Sequence, residues 1–65
     1  MNWTALRHVG QRAVFEGRNY TIYPRGTGDW LVSVDGCYQD ACDSEADAKR
    51  RCEELAGEFL EYDQE

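Results

Sequence analysis

The sequence predicts an α+β fold, in which a three-stranded antiparallel meander is covered by one C-terminal amphipathic helix. Two observations lead to this prediction. Segments rich in β-branched and aromatic residues alternate with glycine-containing turns in the first half of the chain, and apolar residues recur at spacings of three and four in the second half. A chain of 65 residues suffices for one domain, so we expect residues 1–65 to fold as a unit.

The predicted strands cover about residues 12–16, 18–24 and 29–35. Glu16-Gly17 is short enough for a tight hairpin between the first two, and the glycine-rich segment 24–29 connects the next two. Alternation along the strands predicts which side chains face the helix. These are Tyr20, Ile22, Trp30, Val32 and Val34.

Two segments leave alternatives open. Asp35-Gly36 is a strong turn signal, and it either leads into a short fourth strand at Cys37–Gln39 or ends the sheet. Residues 1–10 carry no clear periodicity, so they form either a short helical turn around Trp3 and Leu6 or an extended arm.

A helix is predicted over about residues 44–62. Ser44 followed by Asp47 is a variant of the capping box, in which a hydroxyl accepts a hydrogen bond from a free backbone N–H of the first turn. The apolar stripe that should face the sheet follows at spacings of three and four. Its members are Ala48, Cys52, Leu55, Phe59 and Tyr62, widened by Ala56 and Leu60.

The sequence offers no pattern for catalysis or for a cofactor. A core this small leaves little room for an enclosed substrate pocket. His8, the single histidine, has no cysteine at a spacing that indicates a nucleophile pair, and we expect it to be exposed and inert. We therefore predict a protein that is not an enzyme and that needs no cofactor.

Metal sites and disulfides are also not indicated. Zinc sites usually combine closely paired ligands, a pattern that Cys37, Cys42, Cys52 and His8 do not form. The acidic residues from Asp35 to Glu45 fail the spacing of a calcium loop. An odd cysteine count in a chain without a basic, then apolar, N-terminal segment predicts free thiols and a cytoplasmic protein, and no apolar run is long enough to span a membrane.

Charge is divided unevenly along the chain. Residues 1–34 hold four arginines and two acidic residues, whereas residues 35–65 hold eleven acidic and three basic residues. The net charge of −6 therefore combines a mildly basic first half with a strongly acidic second half. An asymmetry of this kind bears on the choice of partners.

The acidic residues follow one stripe of the predicted helix, and a second row begins in the turn before it. Like charges four residues apart destabilise a helix, so a small domain that tolerates them could use them for binding. One interpretation is a solvated face that maintains solubility. The other is a surface that mimics DNA and occupies a basic channel. Its candidate residues are Asp43, Asp47, Glu53, Glu54, Glu58 and Glu61.

Three segments carry a resemblance to known proteins. Gly17–Ile22, Asp29–Gly36 and Ser44–Lys49 resemble the strands and helix of small sheet-plus-helix proteins of bacteriophages and mobile elements. Among these, the chain is similar in size and acidity to anti-CRISPR proteins that inhibit type I systems, type I-C among them. The resemblance implies a host–phage setting in the bacterial cytoplasm and the Cascade complex as partner, with its large, PAM-reading subunit as the natural target of a DNA mimic. We expect the protein to be a monomer.

Two other classes of function remain as alternatives. The chain could be a small phage accessory module whose sheet face binds a protein through Tyr23, Leu31 and Arg25. Direct nucleic-acid binding would use the four arginines of the first half, and the net charge disfavours it. These arginines are Arg7, Arg12, Arg18 and Arg25.

Overall fold

The computed structural model describes residues 1–7 and 10–63, and for residues 59–63 it describes the backbone alone. It contains five strands followed by one helix. Their bounds are β1 (Thr4–Ala5), β2 (Gln11–Phe15), β3 (Arg18–Pro24), β4 (Trp30–Val34), β5 (Cys37–Cys42) and α1 (Glu45–Asp63).

All neighbouring strands pair antiparallel, in the order β1-β2-β3-β4-β5, and α1 lies across one face over β3, β4 and β5. This arrangement confirms the α+β prediction, with the helix last in the chain. The predicted count of three or four strands was too low. The sequence signal failed at the two edges of the sheet, where strands are short or polar.

The two predicted tight turns both form. Glu16 and Gly17 have φ values of 51° and 78°, and Asp35 and Gly36 have 53° and 83°. Positive φ at both central residues is what a type I′ hairpin requires, and this turn follows the natural twist of antiparallel strands. Asp35-Gly36 therefore continues the sheet rather than ending it.

Strand β5 is longer than the predicted fourth strand, because it runs on through Asp40 to Cys42. The pairing of β4 with β5 contains a register shift, a β-bulge, between Val32 and Ser33. Tyr38 lies opposite Ser33, and Asp40 lies opposite Val32. Tyr38 lies on the outer face in the register set by the hairpin, and the bulge puts Asp40, in place of Gln39, on the face that α1 covers.

The helix begins as the capping signal predicts. The Ser44 hydroxyl accepts a hydrogen bond from the Asp47 backbone N–H at 3.2 Å, and the Ser44 carbonyl accepts one from Ala48 at 3.0 Å. The helix then packs its apolar stripe against the sheet in one core. The core residues are Tyr20, Ile22, Val32, Val34, Ala48, Cys52, Leu55 and Ala56. The predicted stripe residues Phe59, Leu60 and Tyr62 have side chains outside the described part.

Of the two alternatives for the N-terminal residues, the helical turn does not form, and the chain is extended at Thr4–Ala5 as an edge strand. This strand pairs with β2, and Met1 and Trp3 pack against the core. The signal was weak because two paired residues leave no periodicity. His8, predicted to be exposed and inert, lies outside the described residues.

The helix α1 is the one helix of the described residues, and it is too polar to cross a lipid bilayer.

Gly10 leads into β2 at a position that excludes a side chain. Its φ is 133°, and an added Cβ would lie 2.8 Å from the Ile22 carbonyl oxygen and 3.0 Å from the Tyr23 Cβ. The contact with the Ile22 oxygen is shorter than real Cβ atoms show, and the contact with Tyr23 is tight enough to force a small shift of that residue. We expect Gly10→Ala to lower the free energy of unfolding by about 2 kcal/mol, measured by urea denaturation.

Gly26→Ala is the matched control, because no atom outside its chain neighbours lies within 4 Å of its added Cβ and its φ is not in the left-handed region. This variant should change the free energy of unfolding by less than about 0.5 kcal/mol. Equal stability of the two variants would contradict the described approach of Gly10 to β3.

Candidate acidic interface

A shallow groove runs between the end of β5 and the first turns of α1. Its volume is about 260 Å³. Three of the predicted site residues, Asp43, Asp47 and Glu54, line it. The remaining lining residues are Ala41, Cys42, Arg50 and Arg51. The fold therefore brings carboxylates from the β5–α1 turn and from the helix to one place.

Two arginines lie among these carboxylates. Arg50 donates to Asp47 at 3.1 Å, one turn earlier in the helix. Arg51 donates through Nε to Asp40 of β5 and through Nη1 to Glu54, both at 3.2 Å, and Glu58 lies 4.0 Å away. Because the hydrogen bond to Glu54 and the nearby carboxylates favour its charged form, they raise the pKa of Arg51.

We call Asp40, Asp43, Asp47, Glu54 and Glu58 the acidic surface. The guanidinium groups of Arg50 and Arg51 lie among its five carboxylates, so the local net charge is −3. The surface is thus less negative than the count of acidic residues alone suggests. Most of these side chains are close to half exposed, so their ion pairs contribute little to the free energy of folding.

Two predicted site residues do not join this surface in the described structure. Glu53 lies on the other flank of α1, where its Oε1 is 3.7 Å from the Met1 amino group. It lines a separate cavity with Met1, Phe15, Ala56 and Gly57. Glu61 belongs to the helix backbone, but its side chain is outside the described part.

Sequence reasoning placed Asp40 in a possible second row of acidic residues, but it did not predict the contact between Asp40 and Arg51. Helical periodicity predicts that Asp47, Glu54 and Glu58 share one side of the helix. It also predicts that Arg51, three residues before Glu54, is a neighbour of Glu54. The position of Asp40 against the helix could not be predicted, because it depends on the length of β5 and on the bulge. A polar residue in an edge strand gives no signal of the helix above it.

No family model matches the chain, and neither a curated protein nor a solved structure shows significant similarity to it.

In the described part of the chain, the cysteines and the acidic residues from Asp35 to Glu45 form no common site. Among the described residues, no group of three or more His, Cys, Asp or Glu side chains is arranged to hold a metal ion. Asp35 instead accepts the Asn19 N–H at 2.9 Å, and Glu45 accepts a hydrogen bond from Gln11. All three cysteines are free thiols. Burial raises the pKa of Cys52 to about 11 and also raises that of Cys42.

The outer face of the sheet, opposite α1, is the second exposed surface. Tyr23 and Leu31 lie there as a half-buried pair, and Val14 and Tyr38 are exposed on the same face, at 59% and 63%. No strand residue that points to this face carries a carboxylate. Arg25, the third predicted residue of this face, lies in the adjoining loop and is paired with Asp29 at 2.6 Å. The acidic surface therefore lies on the opposite side of the molecule from this sheet face, where no strand side chain is a carboxylate.

Proposed function

We propose that this protein acts by binding, and that its acidic surface occupies a basic, DNA-binding surface of another protein. The observation that supports this proposal is the groove, where Asp43, Asp47 and Glu54 meet from two elements and face outward. Following the resemblance in the sequence, we propose the target to be the large subunit of a type I Cascade complex. The protein would then act as an anti-CRISPR inhibitor in the bacterial cytoplasm.

The geometry of the carboxylates favours this use. Asp47, Glu54 and Glu58 are spaced by seven and four residues, so their Cα atoms rise by about 10 Å and 6 Å along the helix. Neighbouring phosphates of one DNA strand are about 3.4 Å apart along the axis, so the helix matches every second or third phosphate. Asp40 and Asp43 supply a second row beside the helix.

The two arginines set a limit on this mimicry. Arg50 and Arg51 reduce the local charge, so long-range attraction alone would be weaker than for duplex DNA. Binding would depend on where the carboxylates stand as well as on how many there are. This consequence makes the proposal testable by variants of equal net charge.

The test compares two double variants in binding to purified type I Cascade. Glu54→Gln/Glu58→Gln removes two carboxylates from the acidic surface, and Glu16→Gln/Glu53→Gln removes two from elsewhere. Both pairs change the net charge from −6 to −4. We expect the first pair to weaken binding about tenfold and the second by less than about twofold, with a shallower salt dependence for the first.

The outcomes separate the possible errors. Equal weakening by the two pairs would show that net charge matters but the acidic surface does not. Unchanged binding in both would exclude the acidic surface as the interface. A wild-type protein that does not bind Cascade would refute the proposed target.

A second candidate function, a phage accessory module that binds through its sheet face, is supported by the exposure of Val14 and Tyr38. Under this alternative, Leu31→Ala/Tyr38→Ala would abolish capture of the partner, while Glu54→Gln/Glu58→Gln would leave it intact. The opposite result favours the acidic surface.

A further inference from the structure

Arg51 connects two elements of the fold through carboxylates. Its Nε–H donates a hydrogen bond to Asp40 on the edge strand β5, and its Nη1–H donates one to Glu54 on α1. Glu58, one turn further along the helix, lies 4.0 Å from the same Nη1. Only a third of the Arg51 side chain is exposed, whereas Arg50 is 71% exposed and has one carboxylate partner among the described residues, Asp47.

We propose that Arg51 is the positioning residue of the acidic surface: it holds the carboxylates of Asp40 and Glu54 in one arrangement, with Glu58 beside them, for a basic partner. The inference rests on the proposed function, because it explains how the same surface would recognise its target. A guanidinium group suits this role, since its planar fork of N–H donors can hold several carboxylates at defined angles.

The physical reason is conformational entropy. Free glutamate side chains have three rotatable bonds, and a partner that binds them must first immobilise them. Arg51 restrains Glu54 and Asp40 before binding, so that part of this entropy cost is met during folding. The positive charge of Arg51 opposes a basic partner, so its two effects on affinity have opposite signs.

This opposition gives a test in which charge and position predict different directions. The probe is a stapled helical peptide that carries an arginine at every fourth residue, with binding measured by calorimetry. Arg50→Gln and Arg51→Gln change the net charge equally, from −6 to −7. Removing a positive charge should tighten binding of the peptide by about twofold for Arg50→Gln. We expect Arg51→Gln instead to weaken it by about threefold, because the ordered carboxylates are lost.

Arg51→Lys is the second variant, and it keeps both the net charge and a cation at this position. Because an ammonium group lacks the planar fork, we expect about twofold weaker binding of the peptide with no change in net charge. Urea denaturation of all three variants shows that each is folded under the conditions of the binding assay. A purely structural role of Arg51 would lower stability without reversing the sign of the effect on affinity.

A measurement without any partner tests the same role. In the wild-type protein, ¹⁵N relaxation of the Arg51 Nε–H should show a rigid side chain and that of Arg50 a mobile one. Equal mobility of the two arginines, or equal tightening of peptide binding by Arg50→Gln and Arg51→Gln, overturns the positioning role and leaves the proposed function standing. A protein that shows the expected relaxation and peptide binding but does not bind Cascade supports the role of Arg51 and refutes the proposed target.

Discussion

Ile22→Ala is expected to lower the free energy of unfolding by about 3 kcal/mol. Ile22 is fully buried on the central strand β3, opposite Val32, where α1 covers the sheet. The truncation removes three carbon atoms and leaves a cavity that the backbone of a paired central strand cannot fill. A domain of this length has a total stability of roughly 3–10 kcal/mol, so the loss would unfold a large part of the population near 37 °C.

Urea and thermal denaturation followed by circular dichroism measure this change. Val14→Ala is the matched control, because it also shortens a β-branched strand residue but lies 59% exposed on the outer face. Its cost should be below about 1 kcal/mol. A similar loss for both variants would contradict the placement of the core on the helix side of the sheet.

Stability is expected to fall steeply above pH 9, and the buried thiol of Cys52 is the main cause. Its folded-state pKa is about 11, raised from 9.0 by burial in the core and further by the nearby Cys42 and Glu53. As the pH rises, the unfolded chain loses this proton first, so the folded state holds more protons between pH 9 and pH 11. The stabilisation is complete below pH 9, and it declines by about 1.4 kcal/mol per pH unit up to pH 11.

Two variants identify the group responsible. Cys52→Ala removes the thiol and should give a flatter profile of stability between pH 9 and pH 11, although it lowers stability at pH 7 by about 1 kcal/mol. Cys37→Ala removes an exposed thiol and should keep the wild-type profile. Burial also raises the pKa of Tyr20, which adds to the decline above pH 10. Parallel profiles for the wild type and Cys52→Ala would show that the decline has another origin.

The parts of the fold that could be predicted are those in which local signals agree with tertiary packing. The strands around Ile22 and Val32 combine β-branched residues with alternation, and Asp35-Gly36 marks a turn that only a few residue types adopt. The start of α1 was set by Ser44, whose hydroxyl has an intrinsic preference for this position. Each of these features is encoded within a few residues.

The parts that could not be predicted depend on contacts between distant segments. Thr4 and Ala5 become a strand only because β2 lies beside them. Asp40 enters the acidic surface because the bulge and α1 bring it to Arg51. Helical spacing could group Asp47, Glu54 and Glu58, but the separation of Glu53 from them follows from how the helix is rotated on the sheet.

The hydrogen bonding of Asp40 also bears on how the protein behaves at high concentration. Its Oδ1 accepts the Ala41 backbone N–H at 2.8 Å on the edge strand β5, so this donor is not free to pair with a strand of another molecule. The same carboxylate places a negative charge at the sheet edge. Near the isoelectric point of about 4.6, repulsion between whole molecules vanishes, so it no longer opposes pairing at this edge. Amyloid-like stacking through β5 is therefore expected first in mildly acidic solutions and in variants that lack the Asp40 side chain.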